Sequence, residues 1–86
     1  MIPKQEKVVF TFHTTTDAMA AESLCKAQNL SGRMIPVPGE ITADCGLAWC
    51  AVPQLEEVLT DSLNAAGIPV QGVYRLMVWG NGYDLF

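Results

Sequence analysis

The order of strand-like and helix-like segments limits the fold of this chain more than any other feature. Four runs rich in β-branched, aromatic and aliphatic residues alternate with two segments whose apolar residues have helical spacing. The predicted strands cover residues 7–13, 33–37, 47–52 and 70–79. The first predicted helix starts among the threonines at 14–16 and ends near residue 28, and the second runs from Pro53 to a stop at Gly67.

The order βαββαβ is that of the ferredoxin-like fold, an α+β architecture with two helices on one face of a four-stranded antiparallel sheet. We therefore expect the strand order 4-1-3-2, with strands one and three in the centre. The chain has 86 residues, half of them hydrophobic, so we expect a single domain over residues 1–86.

Local signals refine this arrangement. Pro36 cannot donate a ladder hydrogen bond, so the second strand should lie at a sheet edge. The first helix has two candidate starts: Thr16 as N-cap, or Thr14 forming a capping box with Asp17. Pro53 suits the first turn of the second helix, where its missing N–H costs nothing. Residues 80–82 are expected to form a turn, followed by a short tail.

The charge balance restricts the partners. The chain has nine acidic residues and only five scattered lysines and arginines, giving a formal net charge of -4. Nucleic acids and anionic membranes attract clustered bases, so we expect neither as a partner. An odd count of three cysteines, without an apolar leader or a long apolar run, favours a cytoplasmic, reducing location.

Cys45 is the residue most able to carry chemistry. It follows a polar stretch and precedes the third strand, so we expect an accessible thiol, with Gly46 allowing the backbone to bend and another molecule to approach. The chain has one histidine, no paired-carboxylate motif and no phosphate-binding glycine loop.

The predicted strand order gives Cys45 neighbours. Strands one and three are antiparallel, so Cys45 should lie where strand one ends and the first helix begins. The helix N-terminus stabilises an anion and would lower the pKa of a thiol there. Thr14, Thr15 and Thr16 are candidate anion-stabilising residues, although capping and turn formation are their simpler roles. His13 could accept the thiol proton, or it could simply be a half-exposed residue at the strand end.

Three segments carry a resemblance to a known family: residues 8–17, the Met-Ile-Pro-Val-Pro run at 34–38, and the Asp-Cys-Gly-Leu-Ala run at 44–48. They resemble a small bacterial family of selenium/sulfur carrier-like proteins, and the likeness extends over about residues 8–78. The family cysteine and glycine correspond to Cys45 and Gly46. The resemblance implies a carrier or accessory protein rather than a true enzyme, with sulfur or selenium donor and acceptor proteins as partners.

This chain departs from the family pattern at Trp49 and Cys50, where an aliphatic and often a basic residue are usual. Cys50 could therefore be a second thiol, or simply a packing residue. The spacing Cys45-x₄-Cys50 does not match a zinc motif, and we expect no metal or cofactor. A redox protein using these two thiols is one alternative.

The alternative from another class is a non-catalytic ferredoxin-like module that binds a protein or a small ligand, because fold alone does not assign function. Apolar residues on the helix-free face of the sheet would favour a homodimer.

Overall fold

A computed structural model of the protein describes residues 4–79, apart from the side chains of residues 4 and 79. The strands are β1 (Lys4–Thr11), β2 (Arg33–Pro36), β3 (Leu47–Ala51) and β4 (Gly72–Trp79). The helices are α1 (Thr15–Ala27) and α2 (Glu56–Ala65), with a 3-10 turn over Pro53–Leu55 before α2. The turn and tail predicted for residues 80–86 lie outside the described residues.

The sheet has the order β2-β3-β1-β4, and every neighbouring pair is antiparallel. This confirms the ferredoxin-like arrangement, the central positions of β1 and β3, and the edge position of β2. β1 pairs with β4 along its whole length, from Lys4 opposite Trp79 to Thr11 opposite Gly72. That pairing explains why β1 starts earlier than residue 7, where the sequence pattern places its start.

Side chains alternate across the sheet and form two apolar clusters, one on each face. The cluster on the helix side combines β1, β3, α1 and α2, with the buried residues Val8, Phe10, Phe12, Ala18, Ala21, Cys25, Cys45, Trp49, Ala51, Leu59 and Leu63. The cluster on the helix-free side contains the buried residues Val9, Ile35, Ile41, Ala48 and Cys50. Because Ile41 belongs to the loop before β3, that loop covers part of the face expected to lack a cover.

Both helices begin and end through recognisable local contacts. The Thr14 hydroxyl accepts a hydrogen bond from the Asp17 N–H at 3.1 Å, so Thr14 rather than Thr16 is the N-cap of α1. The amide of Leu30 closes the other end by donating to the Cys25 carbonyl. Pro53 starts the 3-10 turn that leads into α2, and Gly67, at φ +72°, follows the last turn of that helix.

No helix within residues 4–79 combines the length and the apolarity that crossing a lipid bilayer requires.

A close contact between Gly32 and Trp49 fixes the entry to β2. Gly32 has φ +148°, and a Cβ atom built on it would lie 2.5 Å from Nε1 of the indole. The indole is buried, and its N–H has no hydrogen-bond partner in the described part of the chain. The ring therefore packs directly on the Gly32 backbone, where no side chain fits.

Replacing Gly32 with alanine should destabilise the protein by about 2–4 kcal/mol, because the new methyl group meets the indole and an L-residue is strained at this φ. Urea denaturation measures the change. Gly39→Ala is the matched control, because a Cβ there meets nothing within 4 Å, and its expected effect is within about 0.5 kcal/mol. Equal losses for the two variants would contradict the contact.

Candidate functional site

Cys45 lies at the junction of β1, α1 and β3. It ends the loop of residues 37–46, whose two ends are joined by a hydrogen bond from the Val37 N–H to the Gly46 carbonyl at 3.0 Å. The Cys45 N–H donates to the carbonyl of Phe12 at 3.3 Å, just beyond the last residue of β1. Since α1 begins three residues after Phe12, this bond holds Cys45 beside the helix N-terminus.

The sulfur of Cys45 has two polar neighbours. The backbone N–H of Leu47, the first residue of β3, donates to Sγ at 3.4 Å. The hydroxyl of Thr15, the first residue of α1, lies 3.8 Å from Sγ, and either atom could be the donor. A backbone N–H, a hydroxyl and the N-terminal end of α1 therefore lie beside the sulfur. The juxtaposition expected from the strand order is therefore present.

The thiol is not accessible in this conformation, contrary to the sequence-based expectation. Cys45 is only 4% exposed and belongs to the helix-side cluster. The sequence shows a polar stretch before Cys45, but not that the Cys45 side chain packs into the helix-side cluster. Any reaction of the sulfur with another protein therefore requires the chain around Cys45 to move.

Asp44 holds this segment in place through two contacts. Its N–H donates to the side-chain oxygen of Gln71 at 3.0 Å, and its carboxylate lies 3.6 Å from Nδ1 of His13. The His13 and Asp44 side chains are 49% and 68% exposed, so this contact, which is an ion pair only when His13 is protonated, contributes at most about 1 kcal/mol. His13 contacts the residue before Cys45 rather than the sulfur.

The three threonines have different surroundings. Thr14 caps α1, so its hydroxyl accepts a hydrogen bond from the helix backbone. Thr15 contacts the sulfur. Thr16 is exposed, with no hydrogen bond from its side chain to the described residues. Of the predicted anion-stabilising residues, Thr15 alone has its side chain against Cys45.

Gly46 needs no glycine-specific conformation here. A Cβ atom built on it meets nothing within 4 Å, and Gly46 is not among the glycines with positive φ. The backbone bend expected to require glycine is therefore absent at Gly46, whereas the approach of another molecule to the open space beside it stays a prediction.

Cys50 and Cys45 lie on opposite faces of the sheet. Cys50 belongs to the helix-free cluster and Cys45 to the helix-side cluster, and both are free thiols. An intramolecular disulfide would require one of them to cross the sheet. The structure therefore contradicts the redox alternative in this conformation and favours packing for Cys50.

Burial raises the pKa of the other two thiols, Cys50 and Cys25. Desolvation raises the pKa of Cys50 to about 11, although the positive charges of Lys7 and Arg33 act in the opposite direction. Burial raises the pKa of Cys25 to about 11 as well. At neutral pH both are protonated and poor nucleophiles, because the thiolate is the reactive form.

Two groups near Cys45 were not predicted from the sequence. The Leu47 N–H donates to the sulfur, and the Gln71 side chain accepts from the Asp44 N–H. The N–H of Leu47 is a backbone group whose direction depends on the bend before β3. Gln71 precedes β4, and its own N–H donates to the Thr11 carbonyl at 2.8 Å. Gln71 lies within the predicted fourth strand, and its antiparallel pairing with strand one would have placed Gln71 at this end of the sheet. Residues 4–79 contain no group of three or more histidine, cysteine or acidic side chains arranged to hold a metal.

The fold and this site define a small ferredoxin-like domain with one sulfur held at a helix N-terminus. The family described as "Putative Se/S carrier protein-like" matches residues 7–75, and the chain belongs to this family. Comparisons with curated proteins and with solved structures gave no match. The match spans β1 to β4 and includes Cys45, Thr15 and Gln71, so the site described above lies within the family domain.

Raised pKa values at Cys25 and Cys50 predict a loss of stability at alkaline pH. Both thiols deprotonate near pH 9 in the unfolded chain but only near pH 11 in the folded protein. Their contribution to stability is therefore complete below about pH 9 and is lost as the pH rises towards 11. Urea denaturation between pH 8 and 11 should show this decline, and Cys50→Ala should make it shallower. An identical slope in the variant would contradict the assignment to Cys50.

Weakening the contacts that hold Asp44 should expose Cys45. Gln71→Ala removes the acceptor of the Asp44 N–H, and His13→Ala removes the partner of the Asp44 carboxylate. Because each contact contributes about 0.5–1 kcal/mol, each variant should raise the alkylation rate of Cys45 about two- to fivefold. Peptide mapping after timed iodoacetamide treatment measures this rate.

Gln54→Ala is the matched control, because Gln54 is an exposed glutamine outside the Cys45 segment. It should leave the alkylation rate unchanged. Equal rates in wild type, Gln71→Ala and His13→Ala would show that these contacts do not control access to the sulfur.

Proposed function

We propose that this protein carries sulfur or selenium on Cys45, taking the atom from a donor protein and passing it to an acceptor. The observation that supports this most directly is the sulfur of Cys45 held at the N-terminus of α1, with the Leu47 N–H and the Thr15 hydroxyl beside it. Membership of a family described as Se/S carrier protein-like supports the same class of function.

The proposed step is a thiol–persulfide exchange. The Cys45 thiolate attacks the outer sulfur of a persulfide on the donor protein. A new sulfur–sulfur bond forms on Cys45 as the donor's sulfur–sulfur bond breaks, and the donor cysteine leaves as a thiolate. One sulfur atom moves without net oxidation or reduction. Release to an acceptor thiolate is the same exchange in reverse, and a selenium atom in place of the outer sulfur follows the same steps.

The surroundings of the sulfur suit this exchange. A persulfide on Cys45 is anionic near neutral pH, and an anion is favoured at a helix N-terminus. The Leu47 N–H and the Thr15 hydroxyl are available as donors to the inner sulfur. These groups hold the charge, and the chemistry itself belongs to the two sulfur atoms, which is why a carrier fits better than an enzyme.

The other two thiols fit this role poorly. With pKa values of about 11, Cys25 and Cys50 are thiolate in only about one molecule in a thousand at pH 8. Both are completely buried in the apolar clusters. Loading is therefore expected at Cys45 alone, and Cys50 is not required.

Burial of Cys45 makes partner contact part of the mechanism. A sulfur that is 4% exposed cannot meet a donor persulfide until the Asp44 segment moves. Asp44 is held by the Gln71 side chain and by the exposed side chain of His13. A docking partner therefore needs to break only these contacts to move it. The covered state would also protect the thiol from unwanted oxidation between transfers, because susceptibility follows exposure.

The same burial favours a second candidate function, a non-catalytic module that binds a protein or a small ligand. In that case Cys45 is a small packing residue whose hydrogen bonds close the loop onto β1. The two functions differ in one measurable property, the transfer of a sulfur atom to Cys45.

Incubation with a cysteine desulfurase and cysteine should add one sulfur atom to the wild-type protein, because Cys45 is the thiol with donors beside it. Intact mass spectrometry under non-reducing conditions detects the added mass. Peptide mapping after alkylation should place the added sulfur on Cys45.

Cys45→Ser should abolish the addition, whereas Cys50→Ser, the matched control within the same strand region, should retain it. Circular dichroism shows whether each variant is folded. Absence of added sulfur on folded wild type, or equal addition to the Cys45→Ser variant, would support the binding module instead.

A further inference from the structure

The two edges of the sheet are protected very differently. β2 has four residues and ends in Pro36, and both features discourage pairing with another chain. β4 has eight residues, no proline and no lysine, and among the described strands it pairs with β1 alone. Alternate backbone groups along its outer side are therefore available to another extended segment.

Exposed apolar side chains accompany this edge. On the helix side of β4, Val73 and Met77 are 40% and 52% exposed, with Arg75 between them. Met77 lies opposite Glu6 and Val73 opposite Phe10 in the pairing with β1. A long edge strand with exposed apolar side chains and without proline or lysine is a template for strand addition.

A charged groove lies next to the edge. One part, of about 550 Å³, runs past the N-terminal half of β1, and a second part, of about 430 Å³, runs along α2. The two parts share Arg75 and the start of the 3-10 turn. The carboxylates that line them are those of Glu6, Glu56, Glu57 and Asp61.

Arg75 is already paired within this groove. Its Nε donates to Glu56 at 2.9 Å and its Nη1 to Glu6 at 3.4 Å, and these carboxylates raise the pKa of Arg75, Glu56 most strongly. Glu57 and Asp61 have no ion-pair partner within residues 4–79. The groove thus contains two carboxylates, those of Glu57 and Asp61, with which a basic side chain of another molecule could form ion pairs.

We propose that the β4 edge and the adjoining groove bind an extended segment of a partner protein that carries lysine or arginine between apolar residues. The backbone of the segment would extend the sheet at β4. Its apolar side chains would cover Val73 and Met77, and its basic side chains would reach Glu57 and Asp61. This surface is separate from Cys45, so the proposal does not depend on sulfur transfer.

Charge favours such a segment over a second copy of this chain. The chain carries a net charge of -4, and a copy docked on β4 would bring a second set of the same carboxylates towards the groove. Like charges brought together in an interface weaken binding, whereas complementary charges accelerate and orient it.

The test uses a short peptide titrated into ¹⁵N-labelled protein, in which every second residue, the set that shares one face of an added strand, is valine and lysine in turn, with threonine between them. Binding should shift the amide resonances of β4 and α2, and salt should weaken it. A peptide with glutamate in place of lysine should bind at least about tenfold more weakly, as should a lysine peptide with alternate backbone amides methylated. Glu57→Lys combined with Asp61→Lys should reduce affinity for the lysine peptide by a similar factor.

Cys45→Ser is the control and should bind the peptide as wild type does, which separates this proposal from the carrier function. Equal binding of the lysine and glutamate peptides, no binding, or resonance shifts away from β4 would overturn the proposal. Sedimentation of the protein as a dimer whose β4 amides are protected from exchange would assign the edge to a second copy instead.

Discussion

The pairing of β1 on both sides is the interaction on which the rest of the structure depends. β1 bonds to β4 along its full length and to β3 from Val8 to Thr11, so it is held along both edges. Its alternating side chains supply both clusters, with Phe10 on the helix side and Val9 on the helix-free side. Where β1 ends, the Phe12 carbonyl accepts from Cys45 and α1 starts soon after. The position of the sulfur thus follows from the length of one central strand.

Burial of Cys45 limits both the oxidation of its thiol and the access of other molecules to it. A buried cysteine resists oxidation but meets no partner, whereas an exposed one does the opposite. Here the sulfur itself is buried, while the residue before it, Asp44, contacts His13 through exposed side chains. Moving Asp44 away from His13 and Gln71 therefore breaks bonds that water replaces readily.

The sequence carried enough information for the order of elements, the strand order and the neighbourhood of Cys45. These depend on local periodicity and on antiparallel pairing, which Pro36 and the threonines before α1 reinforce. The burial of Cys45 could not be predicted, because it depends on the helix-side cluster, which assembles from β1, β3, α1 and α2. The contact of Gly32 with Trp49 and the bond of Gln71 to Asp44 join residues far apart in the chain. Such contacts have no periodic signature, and only the packed structure brings them together.

The proposed docking groove and the thiol lie at opposite ends of β1. The groove borders Glu6 and Lys7, whereas Cys45 bonds to Phe12. Glu6 and Phe12 are six residue steps apart in extended chain, which corresponds to about 20 Å. A segment bound in the groove would therefore not cover the sulfur, and the chain around Asp44 and Cys45 could still move. One protein surface could then retain a partner while the other end exchanges its cargo, and linking two weak contacts in this way raises the effective concentration of the reacting thiols.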